Sequence, residues 1–304
     1  MDRLDSMRVL VEVVNAGSLS AAARRLRMPI ATVSRKLSEL EGHIKTRLVI
    51  RSTRQLTLTD AGAAYVVTCK RILEDIEQAE RQAAGEYTAP KGDLVVTAPI
   101  VLGRMHVLPI ITEFLKAYPE INVRLVLGDR WINLLEEHID LALRIGELPD
   151  SSLVATKVGE TQRVVCASPR YLAAHGTPHH PSDLCEHACI TFESLASSTR
   201  WHFAAGKESL LVPVHSRLAV STAEAAIDAA IAELGITQVM AYQIAKRCGE
   251  GLLEKVLLDF EPHKLPIHTV HAGQGLLPLK VRAFIDFTTP RLRLRLSETS
   301  NNDA

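Results

Sequence analysis

The sequence has little that would place the protein outside the cell or in a membrane. Its 304 residues include five cysteines, an odd number scattered between positions 69 and 248, which does not suit a disulfide framework. The first ten residues, MDRLDSMRVL, carry charges where a signal peptide needs an apolar run. No stretch approaches 18 uncharged apolar residues. We therefore predict a cytoplasmic protein with no membrane segment.

Motifs of catalysis and of metal binding are also missing. The sequence has no Gly-x-Ser-x-Gly, phosphate-cradling loop or His-Glu-x-x-His. Histidines and cysteines cluster between positions 175 and 189, but adjacent histidines and a Cys-x-His-x-Cys in a predicted strand match no common zinc site. Gly273-x-Gly275 lacks the third glycine of a dinucleotide site. We predict no catalytic residue, no metal and no cofactor other than a small-molecule effector.

The charge of the chain is zero overall but unevenly distributed. There are 35 basic and 35 acidic residues in total, and residues 1–60 contain eleven basic and six acidic ones. The head is therefore +5 and the remainder −5. A basic head on an acidic body is typical of a protein that binds nucleic acid through the head alone.

Residues 18–40 predict two short helices separated by Pro29. Apolar residues recur at helical spacing on both sides of this proline, at Leu19, Ala22, Ala23 and Leu26 and then at Val33, Leu37 and Leu40. Pro29 has no N–H and favours the start of a new helix. The polar face of the second helix carries hydroxyls and cations, which suit phosphates and base edges in a major groove. The same pattern would also suit an amphipathic helix pair in an all-helical domain.

Residues 44–59 favour DNA binding over that alternative. Apolar and polar residues alternate here, with arginines at positions 47, 51 and 54, which predicts a β-hairpin with a basic tip. Two helices followed by a basic hairpin form a winged helix–turn–helix.

Residues 1–86 resemble the DNA-binding half of a LysR-type transcriptional regulator. The residues that carry the resemblance include Gly17-Ser18-Leu19-Ser20-Ala21-Ala22-Ala23, Ala31-Thr32-Val33-Ser34-Arg35, Leu40-Glu41, Arg47-Leu48 and Leu58-Thr59-Asp60-Ala61-Gly62. Two positions depart from the family pattern. Pro29 replaces a small hydroxyl residue at the helix start, and Lys45 replaces a glycine at the helix end.

From the helix pattern and the resemblance we predict two sets of DNA contacts. The helical set is Ser20, Ala31, Thr32, Ser34, Arg35 and Lys36, of which Lys36 contacts a phosphate or is merely solvated. The set in the wing, directed at the DNA backbone or the minor groove, is Arg51, Ser52, Thr53 and Arg54.

A long helix is predicted over residues 59–86, ahead of a linker at residues 87–92. Its apolar positions follow a heptad spacing at Tyr65, Cys69, Ile72, Ile76, Ala79 and Ala83. Such a seam favours pairing with a second copy, which would suit an interrupted inverted repeat in DNA; the alternative is a helix packed on its own domain. The resemblance implies a homotetramer, as a dimer of dimers, and contact with RNA polymerase.

Beyond residue 90 short apolar strands alternate with helices, which predicts a parallel α/β sheet. The length suggests two such lobes, joined by crossings near residues 161–164 and 262–266. This half resembles the family's effector domain, which has the architecture of a bilobed periplasmic binding protein. We place the winged domain at residues 1–58, the linker helix at 59–89 and the effector domain at 90–304. Lobe I spans about 90–161 and 267–304, and lobe II about 162–266.

Ligands in open α/β sheets bind beyond the carboxyl ends of strands. That rule selects effector-binding candidates in lobe I: Thr97, Ala98, Pro99, Ile100, Gly128, Asp129, Arg144, Ile145 and Gly146. The candidates in lobe II are Ser221, Thr222, Gly235 and Ile236, with the loop of residues 198–201, including Thr199, as a weaker choice. Helix capping or turn formation explains several of them equally well.

The sequence as a whole predicts a sequence-specific DNA-binding regulator, controlled by a small molecule bound between two lobes. One alternative is an enzyme or solute-binding protein on the same two-lobed scaffold. The other is a regulator without an effector, its cleft filled by its own side chains.

Overall fold

The protein is represented by a computed structural model that describes residues 2–51, 56–83, 89–134, 136–149, 152–192, 200–206, 208–272 and 277–301. The chain divides into two compact units, Met1–Ala89 and Pro90–Ala304.

Three helices open the first unit: α1 (Arg3–Ala16), α2 (Leu19–Arg25) and α3 (Ile30–Ile44). The Ser18 hydroxyl caps α2 by accepting the N–H of Ala21 at 3.2 Å. Pro29 occupies the N-cap of α3 and offers no side-chain cap. Lys45 ends α3 in the left-handed conformation, with φ 53° and ψ 32°. The chain thus keeps the usual helix ending without glycine, at a cost of about 1 kcal/mol.

Strands β1 (Val49–Arg51) and β2 (Leu56–Leu58) pair antiparallel, with Arg51 opposite Leu56. Helix α4 (Asp60–Ala83) follows directly. The Thr59 hydroxyl accepts the N–H of Gly62 at 2.9 Å and donates to the carbonyl of Arg47 at 2.8 Å. Thr59 therefore fixes the start of α4 against the chain that leads into β1.

The predicted dimer seam on α4 is wrong at its first two positions. Cys69 is fully buried in a cluster with Leu10, Leu37 and Leu40, and Tyr65 packs against that cluster. These two side chains complete the core of their own domain, so they are not available to a partner helix. Ile72 and Ile76 are half-buried, and Ala79 is exposed.

In the second unit the strands are, in chain order, β3 (Gly92–Ala98), β4 (Ile121–Leu127), β5 (Leu141–Ile145), β6 (Leu153–Thr161), β7 (Arg163–Ala167), β8 (Cys189–Phe192), β9 (Arg200–Ala205), β10 (Glu208–Pro213), β11 (Ser216–Val220), β12 (Ile236–Met240), β13 (Glu254–Val256) and β14 (Leu265–Ala272). Its helices are α5 (Ile100–Leu102), α6 (Leu108–Ala117), α7 (Pro169–His175), α8 (Ala223–Ile231), α9 (Ala241–Gly249) and α10 (Leu279–Asn301), and a π-helical turn, Gly103–Val107, joins α5 to α6.

Two five-stranded sheets form the two lobes. Lobe I has the order β4-β3-β5-β14-β6, and lobe II the order β11-β8-β12-β7-β13. Between β6 and β7 the chain passes from the first sheet to the second at Gln162, and it returns between Val256 and Leu265. Strands β9 and β10 form a separate hairpin. One buried cluster, which includes Phe114 of lobe I and Tyr242 of lobe II, extends through both lobes.

Three expectations for this unit need correction. The sheets are mixed rather than parallel, because β14 runs antiparallel to β5 and β6, and β12 runs antiparallel to β7. The sequence also favours a helix over residues 131–138, but residues 131–133 have no regular secondary structure, and residues 134 and 136–138 form turns. The sequence pattern of the last helix favours an end near residue 288, whereas α10 continues through Pro290 to Asn301. Leu292 and Leu296, 1% and 3% exposed, bury the end of α10, and this packing outweighs the hydrogen bond that proline removes.

Candidate functional site

The outer face of α3 carries most of the predicted DNA contacts. Val33, Leu37 and Leu40 are 0% exposed and anchor the inner face. On the other side Ala31 and Arg35 are exposed, and Thr32 and Ser34 are half-buried. Arg35 lies 3.9 Å from Glu39 one turn later, with 71% of its side chain exposed. Its guanidinium is therefore free to reach outward, and Ser20 of α2 is also exposed.

Lys36 differs from these residues, because its ammonium group forms an ion pair and a hydrogen bond with the carboxylate of Asp5 in α1. Its side chain is only 21% exposed. The sequence suggested a phosphate contact or a solvated lysine; the structure instead ties α3 to α1 through this pair.

The wing is attached to α3 through Glu41, whose Oε1 accepts the backbone N–H groups of Leu48 at 2.9 Å and Val49 at 3.0 Å. Arg51 lies in β1. The Arg51 side chain and the predicted wing residues Ser52, Thr53 and Arg54 lie outside the described part of the chain.

The second unit contains a cavity of about 310 Å³ between its lobes. Six of the predicted effector-binding residues line it: Pro99, Gly128, Asp129, Arg144, Ile145 and Gly146. They follow or end β3, β4 and β5, as the rule for ligands beyond strand ends requires.

The remaining candidates do not line this cavity. In lobe I, Thr97 and Ala98 are 0% exposed, and the N–H of Ile100 already donates to Asp129 Oδ1 at 3.1 Å. The backbone N–H at the start of α5 is therefore occupied by the protein's own carboxylate.

The lobe II candidates have structural roles or lie elsewhere. Thr222 caps α8 through the N–H of Ala225 at 3.3 Å, and Ser221 is exposed beside it. A Cβ on Gly235 would lie 2.2 Å from the carbonyl oxygen of Ala188, so glycine is needed for packing. Ile236 is 0% exposed in β12. Thr199 lies outside the described residues.

Sequence reasoning missed most of the lobe II wall. The predicted ligand contact Gly235 precedes β12, whereas the residues of β12 that line the cavity lie at the carboxyl end of that strand. The cavity residues not predicted are Arg130, Trp131, Glu147, Arg163, Thr191, Phe192, Gln238, Val239, Met240, Tyr242, Gln243 and Leu265; Arg200 and Trp201 belong to the loop that was the weaker choice.

Arginines dominate the charge of the cavity. Arg130, Arg144, Arg163 and Arg200 line it, against two acids, Asp129 and Glu147. Arg144 is 7% exposed; burial lowers its pKa, and it donates to the carbonyls of Leu143 at 3.3 Å and Ile132 at 3.5 Å. Burial raises the pKa of Asp129, and its hydrogen bond from Ile100 partly offsets this rise.

Direct contacts join the two lobes beside the cavity. Arg104 of the π-helical turn lies 2.9 Å from Glu224 at the start of α8. His106 of the same turn packs edge-on against Tyr242 of α9, with 5.8 Å between ring centroids. Because Tyr242 also lines the cavity, the cavity wall is continuous with the lobe interface.

Among the described residues no three His, Cys, Asp or Glu side chains could hold a metal ion together. In the same part of the chain no helix is both long and apolar enough to cross a membrane.

A winged helix–turn–helix followed by a two-lobed α/β domain with a cavity between its lobes defines a DNA-binding transcriptional regulator with an effector domain. Two family models match the chain: "Bacterial regulatory helix-turn-helix protein, lysR family" over residues 4–63, and "LysR substrate binding domain" over residues 88–293. The chain belongs to the LysR family.

Individual relatives agree with this assignment. An HTH-type transcriptional regulator of Xanthomonas campestris is 36% identical over 95% of this chain and 85% of its own length. The structure of CrgA, a LysR-type regulator of Neisseria meningitidis, matches with 31% identity and a TM-score of 0.61, covering 95% of this chain and 98% of that one. Full-length AphB, a virulence activator of Vibrio cholerae, matches with 28% identity and a TM-score of 0.60, covering 94% and 98%.

These findings confirm the predicted fold class and the function of a regulator rather than an enzyme. The alternative of an enzyme or solute-binding protein on the same scaffold is wrong.

Proposed function

We propose that the protein recognises its operator through the exposed face of α3 and responds to a small molecule held in the cavity between the lobes. Thr32, Ser34 and Arg35, with the small Ala31 beside them, would contact base edges in the major groove. The wing would contact the backbone or the minor groove. The observation that carries the proposal is the exposed, outward-directed Arg35 on a helix whose opposite face is fully buried.

Two copies would bind an interrupted inverted repeat, because paired recognition helices read half-sites a fixed distance apart. We extend this proposal to a dimer of dimers that works in the cytoplasm and contacts RNA polymerase, as the family resemblance implies. A ligand that changes the relative position of the lobes would alter the spacing of the heads on DNA. A coupling of about 1–3 kcal/mol is enough for such a switch.

The test is a genome-wide DNA pull-down with the wild type and an Arg35→Ala variant. Arg170→Ala is the matched control, since Arg170 has 86% of its side chain exposed but lies in the second unit. We expect the wild type and the control to collect the same few sites, sharing an inverted repeat, and Arg35→Ala to lose them. Retention of those sites by Arg35→Ala would overturn the assignment of α3 contacts.

A further inference from the structure

The cavity presents cationic groups that lack counter-ions. Within the described residues, none of the four cavity arginines forms an ion pair with a carboxylate. Two of them are also shielded from water, Arg144 as a buried residue and Arg163 as a half-buried one. Burial lowers the pKa of both Arg144 and Arg163. A guanidinium that has lost water and has no carboxylate partner is stabilised when an anion enters.

These two arginines come from opposite lobes. Arg144 lies at the carboxyl end of β5 in lobe I, and Arg163 is the first residue of β7 in lobe II. Arg163 pairs with Met240 of β12, and Met240 also lines the cavity. Arg163 also borders a second, smaller cavity of about 250 Å³ that includes His202 and Ser209. Arg163 therefore borders both cavities. A ligand in the main cavity that contacts Arg163 and Arg144 would bridge the two lobes.

Four aromatic side chains also line the cavity. The chain has only two tryptophans, and both line the cavity: Trp131 from lobe I, 54% exposed, and Trp201 from β9, 5% exposed. The guanidinium of Arg144 lies 5.6 Å from the ring centre of Trp131, a cation–π distance. Phe192 and Tyr242 add further ring surface. A volume of about 310 Å³ is at the small end for a ligand site.

We propose that the effector is a small arylcarboxylate, whose carboxylate is bound by Arg163 and Arg144 and whose ring lies against Trp131 and Trp201. This deepens the proposed function and rests on it. The carboxylate matches the fork of guanidinium donors, and the ring accounts for the aromatic wall. Bridging the two arginines would draw lobe I and lobe II together around the ligand.

Tryptophan fluorescence tests the proposal in the full-length protein, because both tryptophans report on this one cavity. Four probes of related shape are titrated: benzoate, cyclohexanecarboxylate, benzamide and benzylamine. We expect benzoate to change the emission with a dissociation constant roughly tenfold or more below that of benzamide, since a hydrogen bond to a charged group contributes at least this factor. Cyclohexanecarboxylate should bind more weakly than benzoate, and benzylamine should not displace benzoate.

Variants separate the two arginines from general effects on the fold. Arg163→Gln should weaken benzoate binding about tenfold or more and leave benzamide unchanged. Arg163→Lys, which keeps the charge but not the fork, should recover part of the loss. Arg144→Gln should act in the same direction as Arg163→Gln. Arg170→Gln is the surface control and should match the wild type. Trp131→Phe and Trp201→Phe assign the signal to one lobe or the other.

Three results would overturn the inference. Equal binding of benzamide and benzoate would show that charge is not recognised, and the cavity would remain an effector site for a neutral ligand. An unchanged benzoate affinity in Arg163→Gln would remove the proposed anchor. If none of the four probes changes the emission, the arylcarboxylate class is wrong. DNA binding through α3 would then still stand or fall by the Arg35→Ala pull-down, which does not depend on these probes.

Discussion

The carboxylate of Glu41 in α3 accepts the backbone N–H of Leu48, at 2.9 Å, where the chain enters the wing. The same oxygen accepts the N–H of Val49 at 3.0 Å. One side chain of α3 therefore fixes the first strand of the wing, and the two elements proposed to contact DNA are positioned together.

Replacing Glu41 should release the wing. In Glu41→Ala both amides lose their acceptor, and we expect a loss of about 2 kcal/mol in local stability, because hydrogen bonds to charged groups contribute about 1.5–3 kcal/mol. Hydrogen exchange at the Leu48 and Val49 amides measures the effect directly. Glu41→Gln keeps an oxygen at the same place and should exchange at a rate between that of the wild type and that of Glu41→Ala. Equal protection in all three proteins would show that the wing is held by other contacts.

Two glycines of the first unit should respond oppositely to the same substitution. A Cβ on Gly62 would lie 2.0 Å from the carbonyl oxygen of Leu48, whereas a Cβ on Gly42, within α3, meets nothing within 4 Å. Gly62→Ala should destabilise this unit by about 1–3 kcal/mol through overpacking. Gly42→Ala should stabilise α3 by about 0.5–1 kcal/mol. Thermal unfolding followed by circular dichroism at 222 nm compares them, and a shift of the same sign in both variants would contradict the prediction.

Lys36 and Arg35 are neighbours in α3 with different partners, so their effects on DNA binding should differ. Arg35→Met should reduce the slope of log affinity against log salt by about 1, because the protein then places one cation fewer at the DNA and displaces one counter-ion fewer. Lys36→Met should leave that slope unchanged and lower stability by up to about 1 kcal/mol, since its partner is Asp5 within the domain. The measurement is operator binding by fluorescence anisotropy at several salt concentrations, with DNA obtained from the pull-down. An equal change of slope in both variants would show that Lys36 leaves Asp5 and contacts DNA.

Much of this architecture follows from local patterns. The spacing of apolar residues around Pro29 predicted α2 and α3, and the alternation of residues 44–59 predicted the wing. These predictions are correct because the apolar side chains of each element face the core of their own domain. The sequence pattern was misleading where contacts between elements distant in the chain decide which side chains are buried. Tyr65 and Cys69 fit a heptad seam, yet they fill the core beneath α4.

The cavity residues also divide into those that local sequence patterns predict and those that depend on tertiary packing. Pro99 and the residues at the ends of β4 and β5 lie at strand ends that the chain order reveals, so this part of the lobe I wall was predicted, whereas Arg130, Trp131 and Glu147 were not. The lobe II wall depends on the antiparallel pairing of β7 with β12, which is a long-range contact, and on where the local hairpin β9–β10 lies. Arg163 follows a crossing that the sequence predicted, but its place in the cavity wall depends on its pairing with Met240.

His106 is 6% exposed, and its Nε2 has no hydrogen-bond partner in the described part of the structure. Burial, with a smaller effect from Arg295, lowers its pKa below the ordinary 6.5. Below pH 6.5 the unfolded chain therefore binds a proton at this position that the folded protein does not, and folding stability is lost as the pH falls through this range. The lowered pKa values of His187 and His202 act in the same direction, whereas the raised pKa of Asp129 acts in the opposite one.

Urea unfolding of the second unit at pH 7.5 and pH 5.5 tests this, with tryptophan fluorescence as the probe because both tryptophans lie in that unit. We expect the wild type to be less stable at pH 5.5, and both His106→Phe and His106→Gln to show a smaller loss between the two pH values. At pH 7.5, His106→Phe should also be more stable than His106→Gln by about 1 kcal/mol or more, because phenylalanine keeps the ring against Tyr242 and buries no unpaired polar atom. If the wild type and both variants lose the same stability on acidification, His106 takes up protons equally in the folded and the unfolded chain, and the acid sensitivity has another source.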